Sequence, residues 1–240
     1  MRIDNRAVDE LRTIRITPGY VMTAEGSVLI EAGHTRVLCN ATVEDTVPSF
    51  LRGSGKGWVT AEYAMLPRAT ATRTPREVNK GRQSGRTMEI QRLIGRSLRT
   101  VVDLGKLGER SVLVDCDVIQ ADGGTRTAAI TGAYVALAIA IKRVMAMGAL
   151  KQNPLIDSVA AVSVGVVKGT ALLDLCYEED SAAEVDMNIV LTGGGQFVEL
   201  QATAERAAFD DASLARMIEL GRTGVVKLMT LQKEDIERGS

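Results

Sequence analysis

Apolar residues occupy every second position through Val112, Val114, Cys116 and Val118, and the run stops at the double glycine Gly123-Gly124. Alternation of that kind belongs to a strand with one face buried. Earlier, 27–31 and 36–42 alternate or run apolar around Gly33, which is hairpin grammar, and 58–65 gives another strand closed by Pro67. Beyond Pro67 the sequence dissolves into Thr, Arg, Pro and Asn as far as Gly85, a long irregular stretch of the kind that is functional or disordered in compact domains. The period then changes to that of a helix. Over 86–102, Ile90, Leu93, Ile94, Leu98 and Val101 share one side, and Glu89, Arg92, Arg96 and Arg99 share the other. Arg86 falls in the apolar sector at the helix start, and a charge turned inward requires a partner.

The stretch 127–141 carries no charge and predicts a helix buried on all sides, ended by Lys142, Arg143 and Gly148; it is too short to span a membrane. Strand-like runs follow at 158–167, 171–177, 187–191 and 197–201, with Gly193-Gly194-Gly195 as a hairpin turn between the last two. An amphipathic helix over 212–233 closes the chain. Each half thus reads as strands first and helix last. The economical reading is one α+β domain over 1–240, built of two similar halves, about 1–150 and 151–240, with no linker between them.

At 240 residues, 45% hydrophobic and 25% charged, the chain can bury a full core and resembles an ordinary soluble protein. Cys39, Cys116 and Cys176 are odd in number and lack metal-ligand spacing, so they are expected as buried reduced thiols, which suits the cytoplasm. The N-terminal residues are charged, without the apolar stretch of a signal peptide. His34 is the single histidine and has no discernible Ser or Cys partner, which argues against histidine-based catalysis. Gly53-Ser54-Gly55-Lys56-Gly57 lacks the first glycine and the hydroxyl residue of a phosphate-binding P-loop, and is expected as a plain loop.

The net charge of −1 hides two opposed clusters. Between Leu66 and Arg99 stand nine basic residues, including Arg68, Arg73, Arg76 and Arg86, against Glu77 and Glu89 alone; between Asp174 and Asp186 stand six acidic residues and no basic one. An arginine-rich loop spaced by Thr, Pro and Gly suits a polyanion backbone, although a solvated face has the same composition. Where the strand of Val118 turns through Gly123-Gly124 into the uncharged helix, free backbone amides, the Thr125 hydroxyl and the Arg126 guanidinium meet at the positive end of a helix dipole. That combination favours phosphate, against the plainer reading of a glycine-rich turn. Asp180 and Asp186 are six positions apart. If 181–185 is a short hairpin loop, they become cross-strand neighbours roughly 5 Å apart at Cβ, close enough to share a proton or to bind a hard divalent cation. A solvated acidic hairpin accounts for the same spacing. Asp174 alternates with leucines and is expected to point toward the same place.

Several ordered segments resemble the RNase PH family of bacterial phosphate-dependent exoribonucleases, which trim the 3′ ends of transfer RNA precursors. They are Gly57-Trp58-Val59-Thr60-Ala61-Glu62-Tyr63, Met65-Leu66-Pro67-Arg68, Gly85-Arg86-Thr87-Met88-Glu89, Asp122-Gly123-Gly124-Thr125-Arg126-Thr127 and Glu179-Asp180 through Asp186-Met187-Asn188. The resemblance implies the fold shared with domain 2 of ribosomal protein S5. It implies phosphate held by Arg86, Gly124, Thr125 and Arg126, and a catalytic, metal-associated pair in Asp180 and Asp186 with Mg²⁺ or another divalent cation. It also implies RNA gripped by Arg68, Arg73 and Arg76, and a homo-hexamer assembled as three dimers. Two departures stand outside these motifs: Asn5, where the family commonly has glycine, and the stretch from Ala202 to Arg206, where it has glycine at both ends. Two rival readings are a non-catalytic RNA-binding ring subunit, which would lose the arginines or aspartates that this chain keeps, and a hydrolytic nuclease, which would need no phosphate pocket.

Overall fold

The computed structural model describes residues 2–206 and 208–239. Five strands form the first sheet: β1 (Ile14–Pro18), β2 (Gly26–Ala32), β3 (Thr35–Glu44), β4 (Trp58–Met65) and β5 (Ser111–Gln120), in the spatial order β1-β2-β3-β5-β4. Between β4 and β5 the chain forms α1 (Gly85–Thr100) and a short α2 (Leu104–Leu107), and after β5 it enters α3 (Thr125–Ala146). The second half gives β6 (Val159–Val167), β7 (Thr170–Leu173), the short α4 (Tyr177–Ala182), β8 (Val185–Thr192), β9 (Phe197–Ala204) and the closing α5 (Asp211–Arg238). Its four strands form an antiparallel sheet ordered β7-β6-β8-β9. The architecture is α+β, two sheets packed with helices.

The alternation that announced β5 is realised: Val112, Val114, Cys116 and Val118 are buried, and Leu113, Asp115 and Asp117 are half-buried. Helix α1 begins where Ser84 accepts a hydrogen bond from the Thr87 amide, and it buries Ile90, Leu93, Ile94 and Leu98 as its spacing requires. Helix α3 is longer than the uncharged run, since it continues through Lys142 and Arg143 to Ala146 and is long and apolar enough to cross a membrane by those criteria alone. Its apolar surface is instead covered by protein, with β2 and β3 on one side and β6 on the other. An all-round apolar helix is stable in water only in such a sandwich. Helix α5 packs the far face of the second sheet, where Met187, Ile189 and Leu191 meet Met217, Leu220 and Leu228. One expectation fails here. Residues 171–177 do not form a continuous strand, because β7 ends at Leu173 and Asp174 adopts a left-handed conformation, φ 54°.

Candidate functional site

The parallel pairing of β4 with β5 builds one wall of the site. It sets Met65 opposite Val118, so both strands deliver the chain to the same edge of the sheet. From β4 the loop 66–84 leads into α1; from β5 the turn 121–124 leads into α3. The first turns of these helices therefore converge at the carboxyl ends of the strands, where open sheets commonly bind ligands.

Gly123 and Gly124 both sit in the left-handed region, with φ 74° and 65°. Gly124 caps α3 without contributing a side chain, and the first intrahelical bond is donated by Ala128 to the Gly124 carbonyl. The amides of Thr125, Arg126 and Thr127 are thus left without an intrahelical acceptor, as at any helix start. The Thr125 hydroxyl accepts a hydrogen bond from Tyr63 at 2.9 Å, which leaves its own proton free to donate. Burial pushes the Tyr63 phenol up, so this donor stays protonated. Arg126 donates to Gln201 Oε1 at 2.8 Å and lies 3.6 Å from the Glu89 carboxylate, reaching from α3 to β9.

The second sheet supplies the opposite wall. Its register places Gly165, Asp186 and Thr203 in one row and Ser163, Asn188 and Gln201 two rows on, on the same face. Asp180 comes from α4, and together Arg86, Gly124, Thr125, Arg126, Asp180 and Asp186 line a single cleft of about 210 Å³, with Ser163 and Asn188 beside them. All six residues expected to handle phosphate or to form the acidic pair are thus brought together from both halves.

The route to that convergence differs from expectation in four respects. No hairpin joins Asp180 to Asp186. Residues 177–182 are a helical turn, because the Glu179 carboxylate accepts the Cys176 amide and because Glu178, Glu179 and Asp180 suit a helix N-terminus. Asp174 does not face the cleft: its carboxylate takes the Arg12 backbone amide at 2.8 Å and the Arg12 guanidinium at 2.7 and 3.1 Å. Arg86 is exposed rather than turned into the core, because the first turn of α1 overhangs the cleft beyond the end of β4. Cys176 is half-buried ahead of α4 and not in a strand, whereas Cys39 and Cys116 are buried partners across β3 and β5; all three are free thiols.

Arg76 lines a second, wider cleft of about 720 Å³ that runs along the loop and shares Met65 and Arg86 with the smaller one. Arg68 and Arg73 are exposed on the same loop and line neither cleft. Glu77 holds the base of this loop by accepting the Ser84 amide at 3.2 Å and the Thr87 hydroxyl at 2.9 Å.

Charge within the smaller cleft is balanced between two carboxyls and two guanidiniums. Burial, and next the neighbouring Asp180, push the Asp186 carboxyl up to about 6; Arg126 and Arg86 oppose the shift. Asp180 is also raised by burial, again against Arg86 and Arg126. Two crowded carboxylates with an amide oxygen at Asn188 are oxygen donors of the sort that suits a hard divalent cation, although no group of three or more His, Cys, Asp or Glu gathers among the described residues. Ser163, Asn188 and Gln201 were not foreseen as site residues. Asn188 was legible, since it lies two positions from Asp186 and so shares its face of β8; the others follow from strand register, which single positions do not reveal. Of the two departures, Asn5 has φ 61°, which asparagine tolerates better than most residues, and Ala202 lies opposite Met187 with Arg206 exposed just past β9.

Comparison with known proteins agrees with this geometry. Residues 10–142 match domain 1 of the 3′ exoribonuclease family, and residues 157–224 match domain 2. Ribonuclease PH of Solibacter usitatus is 66% identical over 237 residues, covering 99% of this chain and all of its own. Ribonuclease PH of Bacillus subtilis is 61% identical over 235 residues, 98% of this chain and 96% of its own. Among solved structures, rice Rrp46 superimposes with a TM-score of 0.80 at 17% identity, covering 98% of this chain and all of that one. The Archaeoglobus fulgidus exosome, solved with RNA bound to the active site, gives 0.80 at 24% identity, covering 95% of this chain and 91% of that one. With both domains matched in order and identity above 60% along nearly the whole length, the chain belongs to the RNase PH family of 3′ exoribonucleases.

Proposed function

We propose that the smaller cleft carries out phosphorolysis at the 3′ end of RNA, and that the chain is a phosphate-dependent exoribonuclease acting on transfer RNA precursors. The observation that carries this is the meeting, in one cleft, of the unsatisfied first turn of α3, the guanidiniums of Arg86 and Arg126, and the carboxyls of Asp180 and Asp186. Inorganic phosphate is the ligand that the amides, the Thr125 hydroxyl and the two arginines recognise together.

In the reaction, a phosphate oxygen attacks the phosphorus of the last diester. The bond from that phosphorus to the 3′ oxygen of the preceding nucleotide breaks, the terminal nucleotide leaves as a nucleoside diphosphate, and the shortened RNA takes a proton at its new 3′ hydroxyl. Arg86 and Arg126 offset the repulsion between two approaching anions and hold the nucleophile in line, and the α3 amides fix its position without reorganising. As the alternative to a metal-holding role, Asp186, whose carboxyl burial pushes up to about 6, is placed to exchange the proton at the departing oxygen. Asp180 and Asp186, with Asn188 alongside, are the residues that would hold Mg²⁺. Bound there, the cation supplies Lewis-acid stabilisation of charge on the leaving oxygen.

Arg76 in the wider cleft, with Arg68 and Arg73 outside it, is our candidate contact for the body of the transfer RNA. We extend the reading to a ring of three dimers in the cytoplasm, in keeping with the family and with three unpaired thiols. Incubating the protein with a precursor carrying a 3′ extension and labelled orthophosphate should release labelled nucleoside diphosphates. Continued shortening without phosphate, with monophosphates as product, would refute the reading; the mass of the native particle tests the ring.

A further inference from the structure

Gly123 and Gly124 line the cleft immediately ahead of the free α3 amides, and the peptide units that carry their amides are held at the carbonyl end. The Gly123 carbonyl accepts the Thr35 hydroxyl at 2.7 Å and lies 3.5 Å from both terminal nitrogens of Arg12. The Asp122 carbonyl accepts Arg12 Nη1 at 2.5 Å, and the Asp122 amide donates to the Thr35 hydroxyl at 2.9 Å. Because a peptide unit is planar and trans, its N–H points opposite to its C=O. Tethering the Gly123 carbonyl to Arg12 and Thr35 therefore fixes the Gly124 amide in the reverse direction, and tethering the Asp122 carbonyl does the same for Gly123. Two consecutive left-handed residues would otherwise leave these units free to rotate.

Both tethers are buried, with Thr35 0% and Arg12 6% exposed. Arg12 is itself held by Asp174, whose left-handed backbone donates its amide to the Ser163 carbonyl at 2.7 Å. A non-glycine residue in that conformation is retained where surrounding contacts over-determine it. The same segment reaches the acidic wall: Arg2 donates to both oxygens of Glu179 at 2.8 and 2.7 Å, one residue before Asp180.

From this we infer that Arg12 and Thr35 are positioning residues for phosphate, acting through the Asp122 and Gly123 carbonyls, with Asp174 aligning Arg12. The inference rests on the phosphorolytic reading of the cleft.

Two substitutions separate positioning from general support. Thr35→Val keeps the shape and removes both hydrogen bonds; Arg12→Lys keeps the charge against Asp174 and loses the fork that reaches the carbonyls. Each should weaken inorganic phosphate about tenfold, read as binding by calorimetry and as the KM for phosphate, while kcat at saturating phosphate and RNA affinity stay within about twofold. A lowered melting temperature with unchanged phosphate affinity would overturn the inference, as would a fall in kcat with KM unchanged. Arg126→Ala serves as the reference: if it too leaves phosphate affinity intact, the phosphate site itself is misassigned, whereas weakening in Arg126→Ala alone removes only the role of Arg12 and Thr35.

Discussion

Gly123 joins the two halves of the molecule as well as shaping the anion loop, and replacing it with alanine tests both roles at once. An ideal Cβ there would lie 2.6 Å from the Leu175 carbonyl oxygen, 2.8 Å from the Cys176 carbonyl carbon and 2.9 Å from the Tyr177 amide nitrogen. All three are backbone atoms, so no side-chain rotation relieves the contact. The left-handed backbone adds about 1–2 kcal/mol for any residue with a Cβ, and overpacking adds about 1–3 kcal/mol. Gly123→Ala should therefore destabilise by roughly 3 kcal/mol, or a fall of about 6–12 °C in melting temperature for a chain of this size. The strand-to-helix turn and the segment ahead of α4 must separate to admit the methyl group, so Asp180 should draw away from Arg126 and phosphate binding should weaken in the same variant. Thermal melting at fixed protein concentration and calorimetric phosphate titration measure the two effects. Wild-type stability together with wild-type phosphate affinity would show that the two halves do not meet as described.

Three further outcomes are expected. Arg126→Ala should lower turnover by a factor on the order of 10²–10³ and leave RNA binding by filter retention nearly unchanged; full phosphate-dependent activity would refute its role. Asp186 keeps its proton in the folded protein up to about pH 6, whereas an ordinary carboxyl has released it near 4, so this group favours the folded state at pH 4 and that contribution is lost as pH rises to 6. If Asp186 holds Mg²⁺ as proposed, the cation must displace the same proton. Its affinity should therefore fall about tenfold per pH unit below 6 and level off above, and a flat profile from pH 5 to 7.5 would exclude Asp186 as a ligand. Replacing Arg68, Arg73 and Arg76 together by alanine should impair folded transfer RNA precursors more than short single strands; equal impairment would place the loop at the 3′ end itself.

Much of this was legible because periodicity reports burial directly. The β5 alternation, the amphipathic α1 and the apolar α3 follow from residue spacing, and the Gly-Gly-Thr-Arg turn carries its chemistry in four adjacent positions. What escaped depends on partners far apart in sequence. Nothing near Asp174 announces Arg12, 162 positions away, so a buried carboxylate was assigned to the nearest acidic cluster. The turn of α4 carries its own local signals in Glu178, Glu179 and Asp180, but the contact that anchors it to the rest of the fold, Arg2 on Glu179, comes from the opposite end of the chain. The direction of Arg86 failed for another reason: a helical wheel gives azimuth and not height, and the first turn of α1 stands beyond the sheet it would have faced.

Helix α3 is clamped by a sheet on either side, so its leading end inherits the rigidity of two cores. Amides in the body of α3, from Ala128 onward, should be among the slowest to exchange with deuterium, and the oxyanion cradle at its start should stand ready before any substrate arrives. If the arginine-bearing span before α1 grips RNA as proposed, the motion that admits and releases an RNA terminus falls to its middle, since its ends are tied to β5 and to Glu77. Stepping along a strand would then be timed by that span, while the chemistry waits on the part of the molecule packed between two sheets.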